Sequence, residues 1–247
     1  MMLRDVLLIV WKEWKESILQ LGGLRKAGLL STALLAVVFG IIFPFQAGSA
    51  WVQSPESLVY WAWIPLFLVT NIVTDSFAGE RERRTLETLL ATRLSSDAIL
   101  YGKILAAVAY AGAVIGTVLI LGLVTVNLLH GGDGLLMYPP AAVAIISLLT
   151  AFGGGIVATM GTMISMRTSS VRQAQQISGI GVMLLVFVPV FAVQSLPDTW
   201  RSSAVQWLSG LGGAQVWLLA VLFLVLLNGA LLMVARRVFD RTAMNLD

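Results

Sequence analysis

The chain has 247 residues, of which 58% are hydrophobic and only 12% are charged, and its mean hydropathy is +0.89. A soluble domain of this size carries about 25% charged residues, so the composition predicts an integral membrane protein. With no cysteine and a single histidine, His130, the sequence excludes a disulfide framework and a cysteine- or histidine-cluster metal site. The net charge of +3 is explained by basic cytoplasmic loops, so we expect no nucleic-acid partner.

The first 26 residues predict an amphipathic helix that lies on the membrane surface. Apolar residues recur at helical i, i+3, i+4 spacing over positions 3–21, and most charged residues fall on the other face. Trp11 and Trp14 belong to the apolar face, where they suit the level of the lipid headgroups. We therefore expect an interfacial helix in residues 1–26 and a transmembrane domain in residues 27–247.

Six apolar segments of the transmembrane domain are long enough to cross a bilayer, which takes ~20 residues. Lipid offers no hydrogen-bond partner to the backbone, so each segment should be a helix. Of the 16 lysines and arginines, all except Arg201 fall on one side of the predicted membrane. The positive-inside rule then places both termini in the cytoplasm. Together these features predict an all-α, multi-pass protein of the cell (inner) membrane. The six predicted spans are 27–47, 57–77, 101–129, 139–166, 173–195 and 214–235.

The largest predicted cytoplasmic connection, residues 78–100, carries an unusual concentration of charge. Leu86, Leu89 and Leu90 follow at i, i+3, i+4 spacing, which predicts one apolar face on a short helix. Ser95 or Ser96 can cap the next helix, with Asp97 in its first turn. The charged residues are Glu80, Arg81, Glu82, Arg83, Arg84 and Glu87.

The segment before the last span, residues 189–213, is too apolar for a solvated loop and too broken for a span. It contains Pro189, Pro197, Trp200 and Trp207, and it ends in a glycine-rich run. Irregular backbone at membrane depth needs cover from protein or a water-filled cavity. We expect short re-entrant helices in the outer leaflet.

Polar and small residues inside the spans permit two interpretations. Thr70, Asn71 and Thr74 of the second span can line a transport pathway, or they can make interhelical hydrogen bonds, as can Asn228. Small residues in the third span (Gly112 and Gly116) and in the fourth (positions 153–161) favour close helix packing.

Motifs for catalysis are absent from the sequence. There is no Gly-x-Ser-x-Gly nucleophile elbow, and Gly102-Lys103 does not complete a Walker A motif because Ile104 follows. No ionisable residue lies in the middle of a span, which disfavours a self-powered transporter. We expect that the chain is not an enzyme and that any ATP used for transport binds another polypeptide.

The stretch from Glu80 to Thr92 (ERERRTLETLLAT), followed by Ser95-Ser96 and Gly102-Lys103, resembles the permease subunits of type 2 ABC exporters. The layout of an interfacial helix, six spans and broken helices before the last span is similar to that family over essentially the whole chain. In two places the chain departs from the family pattern. Arg84 stands where a glycine usually precedes Thr-Leu-Glu, and Arg93 stands where a proline commonly follows.

The resemblance implies that the loop carries a coupling helix, which docks into a groove of a separate ABC ATPase subunit. It implies two ATPase subunits and a second permease subunit, which we expect to be a second copy of this chain. ATP and Mg²⁺ would be held by the ATPase, and no cofactor by this chain. Two alternatives stay open: a membrane assembly or anchoring protein that moves nothing, and a self-contained channel. The expected docking residues are Glu80, Glu82, Arg83, Arg84, Thr85, Leu86, Glu87, Leu89 and Leu90.

Overall fold

A computed structural model describes residues 2–19, 24–54, 57–132, 134–210 and 213–244 of the chain. All regular structure in these ranges is helical, which confirms the predicted all-α class. In the first half of the chain the helices are α1 (Met2–Leu19), α2 (Leu24–Val37), α3 (Phe43–Ala47), α4 (Ser49–Gln53), α5 (Ser57–Glu82) and α6 (Leu86–Leu90). In the second half they are α7 (Ser96–His130), α8 (Pro140–Leu148), α9 (Gly154–Arg167), α10 (Val171–Ser195), α11 (Asp198–Gly210) and α12 (Gly213–Met244).

Two short π-helical turns, Val38–Ile42 and Leu149–Gly153, join α2 to α3 and α8 to α9 into continuous rods. Pro44 follows the first π turn and has no backbone N–H to donate to the carbonyl of Gly40. The hydroxyl of Thr125 on α7 donates to that carbonyl at 3.0 Å. The irregular backbone is therefore satisfied by a neighbouring helix, as an apolar environment requires.

Four helical segments of the described chain are long and apolar enough to cross a membrane: Ser96–His130, Pro140–Arg167, Val171–Pro189 and Gln215–Phe239. A shorter apolar helix covers Thr32–Ala47. All six predicted spans coincide with helical segments, and α5, with 26 residues, is also long enough for a ~30 Å hydrocarbon core. The chain is a multi-pass membrane protein, and the count of six crossings stays a prediction.

The segment predicted to re-enter the outer leaflet divides between two helices. Helix α10 continues through Pro189 to Ser195, and α11 is a single helix of 13 residues. Gly210 ends α11, and residues 211–212 lie outside the described ranges. A re-entrant position of α11 in the bilayer stays a prediction.

Glycines of α9 bring three helices close together. A Cβ atom added to Gly161 would lie 2.3 Å from Cγ1 of Val73 on α5, and one added to Gly155 would lie 2.4 Å from Oδ1 of Asn228 on α12. The amide of Asn228 donates to the carbonyl of Phe152 at 3.1 Å, which confirms the interhelical hydrogen bond expected for it. The small face predicted on the fourth span is therefore a packing surface.

Gly112 and Gly116 of α7 behave differently from the glycines of α9. A Cβ atom on Gly112 would meet only Cγ2 of Thr150, at 4.0 Å, and one on Gly116 would meet nothing within 4 Å among the described residues. The close packing predicted at this pair is therefore wrong within the described chain.

Candidate partner-docking site

The loop predicted to carry the coupling helix begins with a tight turn that ends α5. The N–H of Thr85 donates to the carbonyl of Glu80 at 2.8 Å, and the N–H of Arg84 donates to the carbonyl of Arg81 at 3.0 Å. This pair of hydrogen bonds is the Schellman pattern, in which the residue after the helix adopts a left-handed conformation. Arg84 occupies that position with φ of +56°. A left-handed backbone favours glycine, which explains why the family resembled usually has glycine at the position of Arg84.

Helix α6 turns its apolar face toward the chain itself. Leu89 is buried, and Leu86 and Leu90 are partly buried against the same core. Leu89 therefore faces the chain's own core, and contact of the three leucines with a partner stays a prediction. The far end of the loop is also anchored: Ser95 caps α7 by accepting a hydrogen bond from the N–H of Ala98 at 3.2 Å, as predicted.

The side of the loop that faces away from the chain is polar and basic. Arg84, Thr85, Thr88 and Arg93 are exposed. Arg83 is also exposed and makes an ion pair of 3.3 Å with Asp75, about two turns before the end of α5. Of the expected docking residues, Glu87 belongs to α6, but its side chain lies outside the part of the chain that the structure describes.

Arg81 and Glu82 join the end of α5 to the turn between α9 and α10. The guanidinium of Arg81 donates to the carbonyls of Thr168 and, at 2.7 Å, of Met166. A carboxylate oxygen of Glu82 accepts a hydrogen bond of 2.8 Å from the N–H of Val171, the first residue of α10. A negative charge at a helix N-terminus is favourable, so Glu82, although exposed, stabilises the start of α10.

Glu80 is buried, with only 4% of its surface exposed, and does not belong to the outer side of the loop. Its Oε1 atom lies 2.7 Å from Nζ of Lys12 and 3.0 Å from Nζ of Lys103. Lys103 also lies 2.9 Å from Oε1 of Glu13. We call the four residues Lys12, Glu13, Glu80 and Lys103 the buried charge cluster; Lys12, at its edge, keeps 36% of its side chain exposed. Glu80 is thus paired inside the chain, and its contact with a partner stays a prediction.

The electrostatic balance of the buried charge cluster is seen at Glu13. Burial raises the pKa of this carboxyl, but the positive charges and hydrogen bonds of Lys103 and Lys12 outweigh burial, and the pKa lies below its ordinary value of 4.5. The carboxylate of Glu13 is thus an acceptor at neutral pH. The cluster has two positive and two negative charges, the neutral balance that a buried set of charges requires.

The three residues considered for a transport pathway do not share one surface. Thr70 and Thr74 are buried, and their hydroxyls donate to the carbonyls of Leu66 and Thr70, each at 2.8 Å. Asn71 is exposed on the other side of α5, and its amide donates to the carbonyl of Phe67 at 3.1 Å. Of the three, only Asn71 is exposed, and its place in a transport pathway stays a prediction.

Sequence reasoning missed the roles of Lys12, Glu13 and Lys103. Their contacts join positions 68 and 90 residues apart, which helical periodicity does not detect. One signal was present: Gly102-Lys103 stands out as a small residue and a lysine in the first turns of a long apolar helix.

Comparison with known proteins gives two matches. The family model described as ABC-2 type transporter matches residues 4–223. The ABC transporter permease protein NatB of Bacillus subtilis (strain 168) is 31% identical over 166 residues, which cover 61% of this chain. The same alignment spans 42% of the length of NatB.

Proposed function

Because this chain belongs to the ABC-2 type transporter family and is a membrane permease, we propose that a separate ABC ATPase subunit drives transport through it. In the proposed complex, two ATPase subunits hold ATP and Mg²⁺, and two permease subunits, both copies of this chain, form the pathway. The chain itself has no catalytic role in this proposal. The cargo leaves the cell, and the scarcity of ionisable residues within the spans favours an amphipathic or lipid-like molecule.

The proposed docking surface is the outward-facing polar side of the loop, formed by Glu82, Arg83, Arg84, Thr85 and Thr88, with Arg93 at its far end. This assignment differs from the sequence-based one because the leucines and Glu80 face the chain's own core. Arginines exposed on this side favour acidic residues in the ATPase groove, since complementary charge steers encounter and fixes register. The side chain of Glu87 belongs to the same proposal on sequence grounds alone.

The observation that carries the proposal is the anchorage of α6 at both of its ends. The Schellman turn and the burial of Leu89 connect α6 to α5, and the Ser95 cap connects the loop to α7. A displacement of α6 by the ATPase is therefore passed to two long helices instead of being absorbed by a flexible loop. Arg81 and Glu82 extend the same connection to α9 and α10.

Orientation follows from the same proposal. ATP is cytoplasmic, so the loop, both termini and α1 lie on the cytoplasmic side of the cell (inner) membrane. The asymmetric distribution of lysine and arginine supports this orientation.

The proposal is tested by co-expressing the chain with a candidate ABC ATPase subunit and measuring complex formation by size-exclusion chromatography. Substituting Arg84→Glu together with Thr88→Glu should abolish the complex and its ATPase stimulation, because both changes place negative charge opposite an acidic groove. Ser169→Glu, at an exposed position in the predicted cytoplasmic turn between α9 and α10, is the control and should have no effect. Substitutions of Leu86 or Leu90 are unsuitable, since these residues pack on the core of the chain.

Two results would contradict the proposal. The first is a complex whose assembly and ATPase rate are unchanged by the double substitution. The second is full transport activity of the purified chain in liposomes without an ATPase, which would instead indicate a self-contained channel.

A further inference from the structure

The buried charge cluster is built from three parts of the chain that meet below the proposed docking loop. Lys12 and Glu13 belong to α1, Glu80 to the last turn of α5, and Lys103 to the second turn of α7. Glu80 and Lys103 thus stand at the two bases of the loop that carries α6.

Lys103 is the centre of the cluster. It is 2% exposed, and its Nζ atom contacts Glu13 at 2.9 Å, Glu80 at 3.0 Å and the carbonyl of Ser76 at 2.8 Å. The same ammonium lies 4.9 Å from the centre of the Phe77 ring, which is within the range of a cation–π interaction. One side chain therefore binds α1, α5 and α7 together.

The neighbouring residue, Gly102, allows this arrangement. A Cβ atom at Gly102 would lie 2.7 Å from Cβ of Ile9, so α1 approaches α7 as closely as a glycine permits. The indole N–H of Trp14 adds a hydrogen bond of 3.2 Å to the carbonyl of Ala106. The contact between α1 and α7 is thus held by close packing on both sides of Lys103.

Stability alone is a weak reason for burying four charges. Apolar residues of similar volume often replace a buried ion pair without loss of stability, because removing the charges from water is costly. Glu80 also keeps its second oxygen, Oε2, buried without a hydrogen-bond partner among the described residues. What the charges add over an apolar core is directional contact, which holds three helices in one relative position.

We propose that Lys103 is a positioning residue for coupling: it holds α1, the end of α5 and the start of α7 as one rigid body, so that movement of the docking loop is delivered to all three together. The role rests on the proposed function, since it concerns how the push of the ATPase is transmitted. It assigns a purpose to the Gly102-Lys103 pair, which takes no part in docking.

The test measures whether α1 and α7 move together when the ATPase works. The natural chain has no cysteine, so Leu8→Cys on α1 and Leu128→Cys near the far end of α7 provide two exposed spin-label sites in each permease copy. Mixing labelled with excess unlabelled chain isolates the distance within one copy. The distance between the labels is measured by pulsed electron paramagnetic resonance in the complex with the ATPase, without nucleotide and after trapping with Mg-ATP and vanadate. With Lys103 present, the distance distribution should be the same in both states.

The variant Lys103→Met combined with Glu13→Gln removes one charge of each sign and leaves the Lys12–Glu80 pair in place. It should assemble with the ATPase and keep its melting temperature, but its distance distribution should shift or broaden on trapping. Lys103→Arg should keep the single distribution. Arg236→Met, which removes an exposed ion pair of 2.8 Å between α12 and Asp97 at the start of α7, is the control and should behave as the unchanged chain.

The role of Lys103 is overturned if the unchanged chain already shows a shift on trapping, or if the double variant shows none. A purely structural role predicts a lower melting temperature with no nucleotide-dependent shift, which would also overturn it. If the unchanged chain forms no complex with an ABC ATPase, the proposed function fails and this role fails with it. Assembly followed by either of the first two outcomes refutes only the role of Lys103.

Discussion

Replacing Gly102 by alanine is expected to loosen the attachment of α1 to α7. The new Cβ atom would lie 2.7 Å from Cβ and 2.8 Å from Cγ2 of Ile9, and both of these atoms are close to the rigid backbone of α1. Carbon atoms without a bond between them settle at about 3.5–4.0 Å, so α1 must move away by roughly 1 Å. Such a movement lengthens the 2.9 Å contact between Lys103 and Glu13 toward about 4 Å, outside the range of a hydrogen bond.

The magnitude follows from two opposing terms. Overpacking of a close contact costs about 1–3 kcal/mol, and exchanging glycine for alanine inside a helix returns up to about 1 kcal/mol. We therefore expect Gly102→Ala to lower the free energy of unfolding by about 1–2 kcal/mol. Thermal unfolding of the purified protein in detergent, followed by the fluorescence of its 8 tryptophans, measures the change.

Gly116→Ala is the matched control, because it lies on the same helix and its added Cβ would meet nothing within 4 Å among the described residues. This control should gain up to about 1 kcal/mol from helix propensity alone. If Gly102→Ala unfolds at the same temperature as Gly116→Ala, the close contact between α1 and α7 is refuted.

Three further predictions concern the turn, the charge cluster and the packing of α9. Arg84→Gly should raise the free energy of unfolding by up to about 1 kcal/mol, because glycine relieves the left-handed backbone, whereas Arg84→Val should lower it. A valine variant with an unchanged melting temperature in the same assay would contradict the left-handed conformation of residue 84. The pKa of Glu13 is lowered below 4.5 despite the opposing effect of burial. The contribution of Glu13 to stability is therefore complete above pH 4.5 and is lost as the pH falls through the lowered value. In melting curves against pH, Glu13→Gln should remove this part of the acid sensitivity, and an unchanged acid profile would count against it. Gly161→Leu should cost about 1–3 kcal/mol by forcing α9 away from Val73, while Gly179→Leu, which has open space around it, should cost less; equal melting temperatures would refute the close packing of α5 and α9.

The interpretation of the docking loop shows where sequence reasoning succeeds and where it stops. The amphipathic spacing of Leu86, Leu89 and Leu90 predicts a short helix, and α6 covers these residues. The spacing identifies an apolar face but not what covers it, since a partner groove and the chain's own core are equally apolar. The structure shows that Leu89 packs on the chain's own core, and the polar side of α6 is the surface proposed for a partner.

The sequence by itself determined the helical class, the places of the helices and the cap at Ser95, because these depend on the residues within about one turn of each other and on the apolar length that a bilayer demands. Its resemblance to ABC exporter permeases agrees with the family match over residues 4–223. The tertiary structure alone decided that Glu80 is buried and that Lys103 binds Glu13, 90 residues away. Charges are read from a sequence as solvent-exposed, and only the packing of α1 against α5 and α7 removes Glu80 and Lys103 from water and makes their pairing obligatory.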